Sequence, residues 1–168
     1  MGKTLPEISQ REAEFIAKQP VFFVASAAAD GCVNVSPRAP GSAVTVLNGK
    51  TVAMLDLSGS GSETAAHLMR NGRITLLFVN LEEGPPKMLR LHGRGSLLLP
   101  QEAAAAGLLE RFGEALAANV GVRAVYKIAV ERVSTSCGYS MPVMRFMRHR
   151  TTLDESSVFA ILYPMASG

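Results

Sequence analysis

Apolar residues fall in short runs separated by Gly, Asn, Asp and Pro, a rhythm that predicts strands joined mostly by tight turns. Val21 to Ala27 reads as a buried strand that Asp30-Gly31 turns back into Cys32 to Ser36. Ala43 to Leu47 and Thr51 to Leu57 pair across Asn48-Gly49, the strongest hairpin signal in the chain. Arg73 to Asn80 and Met88 to Leu99 flank the turn Glu82 to Pro86, and Gly93 and Gly95 predict a bend or bulge in the second of them. Val122 to Val133 is the last strand. Beyond Ser134 the pattern is irregular, broken by Pro142 and Pro164.

Helical periodicity is confined to a few segments. Ser9 and Glu12 have the S-x-x-E spacing of a capping box, Phe15 and Ile16 supply an apolar face, and Pro20 stops the helix. Ser60 and Glu63 repeat that spacing, with Ser62 as a second candidate cap. The stripe Ala65, Ala66, Leu68 and Met69 follows and ends at Asn71-Gly72. Glu102 to Ala118 predicts a helix with Leu108, Leu109, Phe112 and Leu116 on one face. Hairpin-linked strands with helices outside them close into a small antiparallel barrel, because closure removes exposed edges.

Composition sharpens this picture. With 168 residues, 48% hydrophobic and only 18% charged, the chain can bury one real core and hold apolar surface for a subunit contact. A net charge of +3 is mild. The basic cluster Arg145 to Arg150 has no helix-turn-helix, zinc or RNP-type pattern beside it, so it reads as solvated or subunit-facing and not as a nucleic-acid contact. Cys32 and Cys137 lie far apart and form no disulfide framework, which suits a reducing cytoplasm. The opening MGKTLPEIS lacks the apolar core of a signal peptide, Pro6 breaks a myristoylation motif, and Val21 to Ala29 is too short to span a bilayer. The expectation is a soluble cytoplasmic protein with no nucleic-acid or membrane partner.

The stretch Met54 to Asn80 carries the most chemistry: a strand, a Gly/Ser loop, a helix and a second strand. Such a loop turns hydroxyls and backbone amides toward the positive end of a helix, which describes a phosphate site. It equally describes a capped helix with nothing bound. Gly59-x-Gly61 is followed by Thr64 where a dinucleotide fold would have a third Gly, and the strands are hairpin-linked, so a Rossmann reading fails. No P-loop motif is present. His67, His92 and His149 lack metal-ligand spacing and read as structural; His67, one turn into the loop-capped helix, has the best functional claim. Cys137 has no paired base and reads as a structural thiol.

FFVASAAADGCVNVSPRAPG at 22–41, LDLSGSGSETAAHLMRNGRITLLF at 55–78, LRLHGRG at 89–95 and RVSTSCGYSMP at 132–142 together resemble the pyridoxamine 5'-phosphate oxidase-related family of flavin-binding split barrels. The resemblance covers residues 8 to 146 and points to a subgroup of short proteins of uncertain substrate. It implies one domain over 1–168, a split antiparallel β-barrel with peripheral helices and an irregular tail at 147–168. It also implies FMN held at the interface of a homodimer. Arg38 stands where the authentic oxidase has a lysine along the flavin ring, Leu57-Ser58 where it has Tyr-Thr, and Ser62-Glu63-Thr64 where it has Ser-Arg-Lys for the phosphate; Val33 replaces an earlier phosphate-binding arginine. The implied cofactor-binding set is Ser36, Arg38, Leu57, Ser58, Ser60, Ser62, Thr64, His67, Gly138 and Tyr139; the resemblance names no catalytic residue, and that role is left open.

Several cationic contacts are thus missing and Glu63 adds a negative charge, so Arg70, Arg73 or an arginine of a second subunit would have to compensate. The residues that grip pyridoxal phosphate are absent after Tyr139, which argues against pyridoxamine-phosphate oxidation itself. The implied function is an FMN-dependent oxidoreductase acting on an unknown small molecule. A non-enzymatic flavin or haem carrier, a deazaflavin in place of FMN, or a homodimer with a decayed cofactor site are the alternatives.

Overall fold

The computed structural model describes residues 2–40, 43–58, 62–114 and 121–150. The elements run β1 (Lys3–Leu5), α1 (Gln10–Lys18), β2 (Phe22–Ser26), β3 (Asn34–Arg38), β4 (Val44–Asn48), β5 (Thr51–Leu57), α2 (Glu63–Asn71), β6 (Arg73–Val79), β7 (Met88–Leu98), α3 (Pro100–Ala105) and β8 (Val122–Ser136), with a 3-10 turn at Leu109–Phe112. The eight strands form one antiparallel sheet in the order β3-β2-β6-β7-β8-β5-β4, with β1 also pairing β8.

Alternation along the strands builds the core. Phe22 and Val24 on β2, Ile74, Leu76 and Phe78 on β6, Leu89 and Leu91 on β7, and Tyr126 and Ile128 on β8 turn to one side and are buried together. The Phe22 and Phe78 rings stack with centroids 5.3 Å apart. β5 is buried on both faces: Val52 and Met54 join this core, while Ala53 and Leu55 pack under Ala103 of α3 and Phe112 of the 3-10 turn. Its continuous apolar run therefore reflects two covered faces, not one.

Several expectations need correction. The strand pair β2–β3 begins at Ser26↔Asn34, so the connection around Asp30-Gly31 runs from 27 to 33, longer than the expected 28–31. The expected helix 102–118 is instead α3, starting at Pro100, and then the separate 3-10 turn. Gly107 and Gly113 sit at φ 64° and 78°, which interrupts a continuous helix. Leu116 lies outside the described residues. β8 continues to Ser136, past the expected end at Val133, because β7 and β1 pair with its polar extension. β1 itself was not anticipated. The bulge at Gly93 is present, as a register shift between His92 and Gly93 against β8.

Ser9 is the N-cap of α1, but its hydroxyl bonds the Glu12 carboxylate and no backbone amide, so the two residues pair through their side chains in place of a capping box. Ser62, the second candidate, is the N-cap of α2, again without a side-chain capping bond; Ser60 lies outside the described residues. Gly72 ends α2 in the left-handed conformation at φ 71°, as Asn71-Gly72 predicts.

Candidate cofactor site

The period of two along β3 places Asn34, Ser36 and Arg38 on one face of the sheet edge, with Val35 exposed on the other. α2 packs against β7, β2 and β6, and its helical spacing puts the buried Thr64 and Leu68 and the half-buried His67 on one side of the helix. Their polar atoms form a continuous string. Ser36 Oγ donates to Asn34 Oδ1 at 3.1 Å, and Asn34 Nδ2 donates to Thr64 Oγ1 at 3.0 Å and, more weakly, to Ser26 Oγ at 3.5 Å. Ser26 Oγ meets His67 Nδ1 at 3.0 Å. Ser26 and Thr64 are buried, so these bonds satisfy groups that water cannot reach. Three of the anticipated residues, Ser36, Thr64 and His67, are thereby joined through two that the sequence reading missed, Asn34 and Ser26.

Arg38, at the end of the same strand, belongs to a different cluster. Its Nη2 lies 3.5 Å from Oδ1 of Asp56 on β5. Arg123 of β8 approaches the other carboxylate oxygen with Nη2 at 2.9 Å and Nε at 3.1 Å. The Asp56 side chain is 3% exposed. Both its Oδ1 and the Arg38 Nε are buried without a hydrogen-bond partner. The fully buried Tyr126 phenol lies beside them and is pushed well above the ordinary tyrosine range, first by burial and then by the Asp56 charge, against the partial relief of Arg38 and Arg123.

Leu57 and Ser58 close β5 and are half-buried, and the Ser58 amide donates to Gly121 O at 2.6 Å. Ser62 is exposed. The first intrahelical bond of α2 runs from Ala66 N to Ser62 O, leaving the preceding helix amides outside the ladder. Gly138 is placed elsewhere, against Pro86 and Lys87 of the β6–β7 connection, and Tyr139 beside it is 81% exposed. The structure thus brings Ser36, Thr64 and His67 into one string, sets Arg38 in the Asp56 cluster, and puts Gly138 and Tyr139 at a separate position.

His92 lines a separate cavity of ≈ 370 Å³ with Ser26, Arg73, Thr75 and Arg94. It contacts Thr75 Oγ1 at 3.1 Å and Arg132 Nη2 at 3.2 Å, and burial, then Arg132 and Arg90, hold its pKa below the usual histidine value. Among the described residues no His, Cys, Asp or Glu group could hold a metal ion. Cys32 and Cys137 are free thiols.

This sheet, with its helix-capped loop after β5, belongs to a known class. The profile of the pyridoxamine 5'-phosphate oxidase family matches residues 8–137, and the chain belongs to that family. It is 37% identical over 139 residues to the pyridoxamine 5'-phosphate oxidase family protein ustO of Aspergillus flavus, a match covering 82% of this chain and 55% of that protein. The chain therefore spans about half the length of the curated relative it matches. Among solved structures it resembles HupZ from Group A Streptococcus (TM-score 0.55, 22% identity, 75% of this chain and 91% of that one). It also resembles an FMN-binding protein of Syntrophomonas wolfei (TM-score 0.56, 12% identity, 81% of this chain and 85% of that one). At these identities the likeness establishes the split-barrel fold. Among the described residues no helix is long and apolar enough to cross a membrane.

Proposed function

We propose that the chain is an FMN-binding protein that works as a flavin-dependent oxidoreductase on a small molecule, in the cytoplasm and as a homodimer. The observation that carries the reading is the orphaned, buried Nε of Arg38, a cationic donor without an acceptor, on the strand that the sequence resemblance sets along the flavin. An anionic oxygen satisfies such a donor. Arg38, Ser58, Ser62 and the first amides of α2 fit the phosphate, and Ser36 and Leu57 fit the ring. FMN supplies the redox chemistry when bound, and the protein contributes binding and orientation. The Asn34–Thr64 bond sets α2 against β3, and with it the distance between the helix start and Arg38.

Two subunits are favoured because Gly138 packs against Pro86 and Lys87 of the β6–β7 connection with Tyr139 exposed beside it, a place from which a second copy would offer both to a flavin on β3. Val33 just before β3, Val35 on it, and Val143, Met144 and Met147 after β8 are exposed apolar residues that such a contact would cover. The absorption spectrum of freshly purified protein, with mass spectrometry of the released ligand, tests the reading. Flavin bands and a mass of FMN support it. A Soret band, or a colourless protein that ignores added FMN, overturns it.

A further inference from the structure

We propose that Arg123 is a positioning residue for the cofactor phosphate: it occupies the Asp56 carboxylate and so leaves the charge of Arg38 directed at an anionic ligand. The inference rests on the flavin reading above and concerns how that site keeps its positive charge. Arg123 places two nitrogens on one Asp56 oxygen, at 2.9 and 3.1 Å. Arg38 meets the other oxygen at 3.5 Å with a geometry too poor for a hydrogen bond, and its Nε has no partner.

One carboxylate faces two guanidiniums, and the closer, two-nitrogen contact belongs to Arg123. The need for such a device follows from the chain itself. Val33 and the Ser62-Glu63-Thr64 triplet carry no cation, so a lone Arg38 paired one-to-one with buried Asp56 would present a neutral dipole to a phosphate. A salt bridge that consumed Arg38 would cancel the charge that β3 carries. By taking the carboxylate, Arg123 prevents that cancellation without touching the ligand.

The experiment compares FMN and riboflavin affinities, by quenching of flavin fluorescence, across charge variants whose fold is checked by circular dichroism. Arg123→Gln is expected to weaken FMN about ten- to hundredfold, the scale of one charge-assisted contact, and riboflavin less than about threefold. Arg123→Lys, which keeps the charge, retains most of the FMN affinity. The double variant Asp56→Asn with Arg123→Gln, which removes both compensating charges, returns FMN binding to within about threefold of wild type.

FMN binding by folded Arg123→Gln within about threefold of wild type overturns the proposal, as does a folded double variant that stays as weak as the single one. If Arg123→Gln does not fold, Asp56→Asn decides: affinity within about threefold of wild type or above it supports the proposal, and any larger loss overturns it. Wild-type protein that binds neither flavin overturns the flavin reading and this inference with it, a result distinct from all the others.

Discussion

Arg38 and Asp56 come within 3.5 Å of each other from strands that do not pair. β3 ends one side of the sheet path and β5 lies next to its other end, so this contact joins the two borders of the sheet across the seam of the barrel. No backbone ladder closes that gap among the described residues. The Asp56 carboxylate, 3% exposed, is sensitive to losing a cationic partner, because its charge is left in a low-dielectric setting.

Arg38→Ala is therefore expected to weaken FMN binding by about 1.5–3 kcal/mol, the range for a hydrogen bond to a charged group. Riboflavin, which lacks the phosphate, loses far less. Titration of both ligands checks this. Equal losses would assign Arg38 to the ring or to the fold.

Asn34→Leu removes the bond to the buried Thr64 hydroxyl and the contact with Ser26. Stability is expected to fall by about 1–3 kcal/mol, since a buried polar group loses its partner. Urea unfolding gives the number, and faster amide exchange in α2 than in β8 would place the damage at the helix. Uniform exchange would refute a local tie.

Glu12 supplies a pH dependence. Burial raises its pKa, but the hydrogen bonds from Ser9 and Lys87 and the Lys87 charge outweigh burial and hold it below the usual carboxylate range. A carboxylate lowered in the folded state contributes stability that is present above its unfolded pKa and lost as pH falls through the folded one. The wild type is thus expected to lose stability below about pH 4.5 more steeply than Glu12→Gln. Parallel curves for the two proteins would remove Glu12 from the account.

Gly93→Ala should be severely destabilising, by more than about 2 kcal/mol. The added Cβ would strike the Ala129 carbonyl oxygen and approach Val130 Cα to 3.1 Å, and both belong to the backbone of β8. Backbone cannot rotate away as a side chain can. A melting temperature within a few degrees of wild type would show that the bulge can relax.

Light scattering at micromolar concentration is expected to give a dimer. A monomer that still holds its flavin would end the shared-site reading.

The hairpin strands were legible because Asn48-Gly49 and the alternation of β6 and β7 encode pairing locally. β1 was not, since Lys3–Leu5 gain strand character only from the overhang of β8 at Val133–Thr135. The third helix was overextended because its apolar spacing continues through Gly107 and Gly113, whose positive φ breaks the helix regardless of periodicity. At the site, Arg38 was legible as a strand-borne cation, but its tie to Asp56 was not, because strands far apart in the sheet order leave no spacing to read. Asp56 did carry a signal: an acid inside the apolar run Val52 to Leu57 needs a partner once buried.

β8 has one further consequence, for the order of assembly during synthesis. Its 15 residues pair with β7 along one edge and with β5 and β1 along the other. A nascent chain that stops short of Val122 holds two pieces that no strand ladder joins, β3-β2-β6-β7 and β4-β5, with β1 lacking a strand to pair with. The N-terminal residues must therefore wait for nearly the last strand to leave the ribosome. Until then, apolar strand edges stand open to other chains, and the period of greatest aggregation risk ends only when Ser136 emerges.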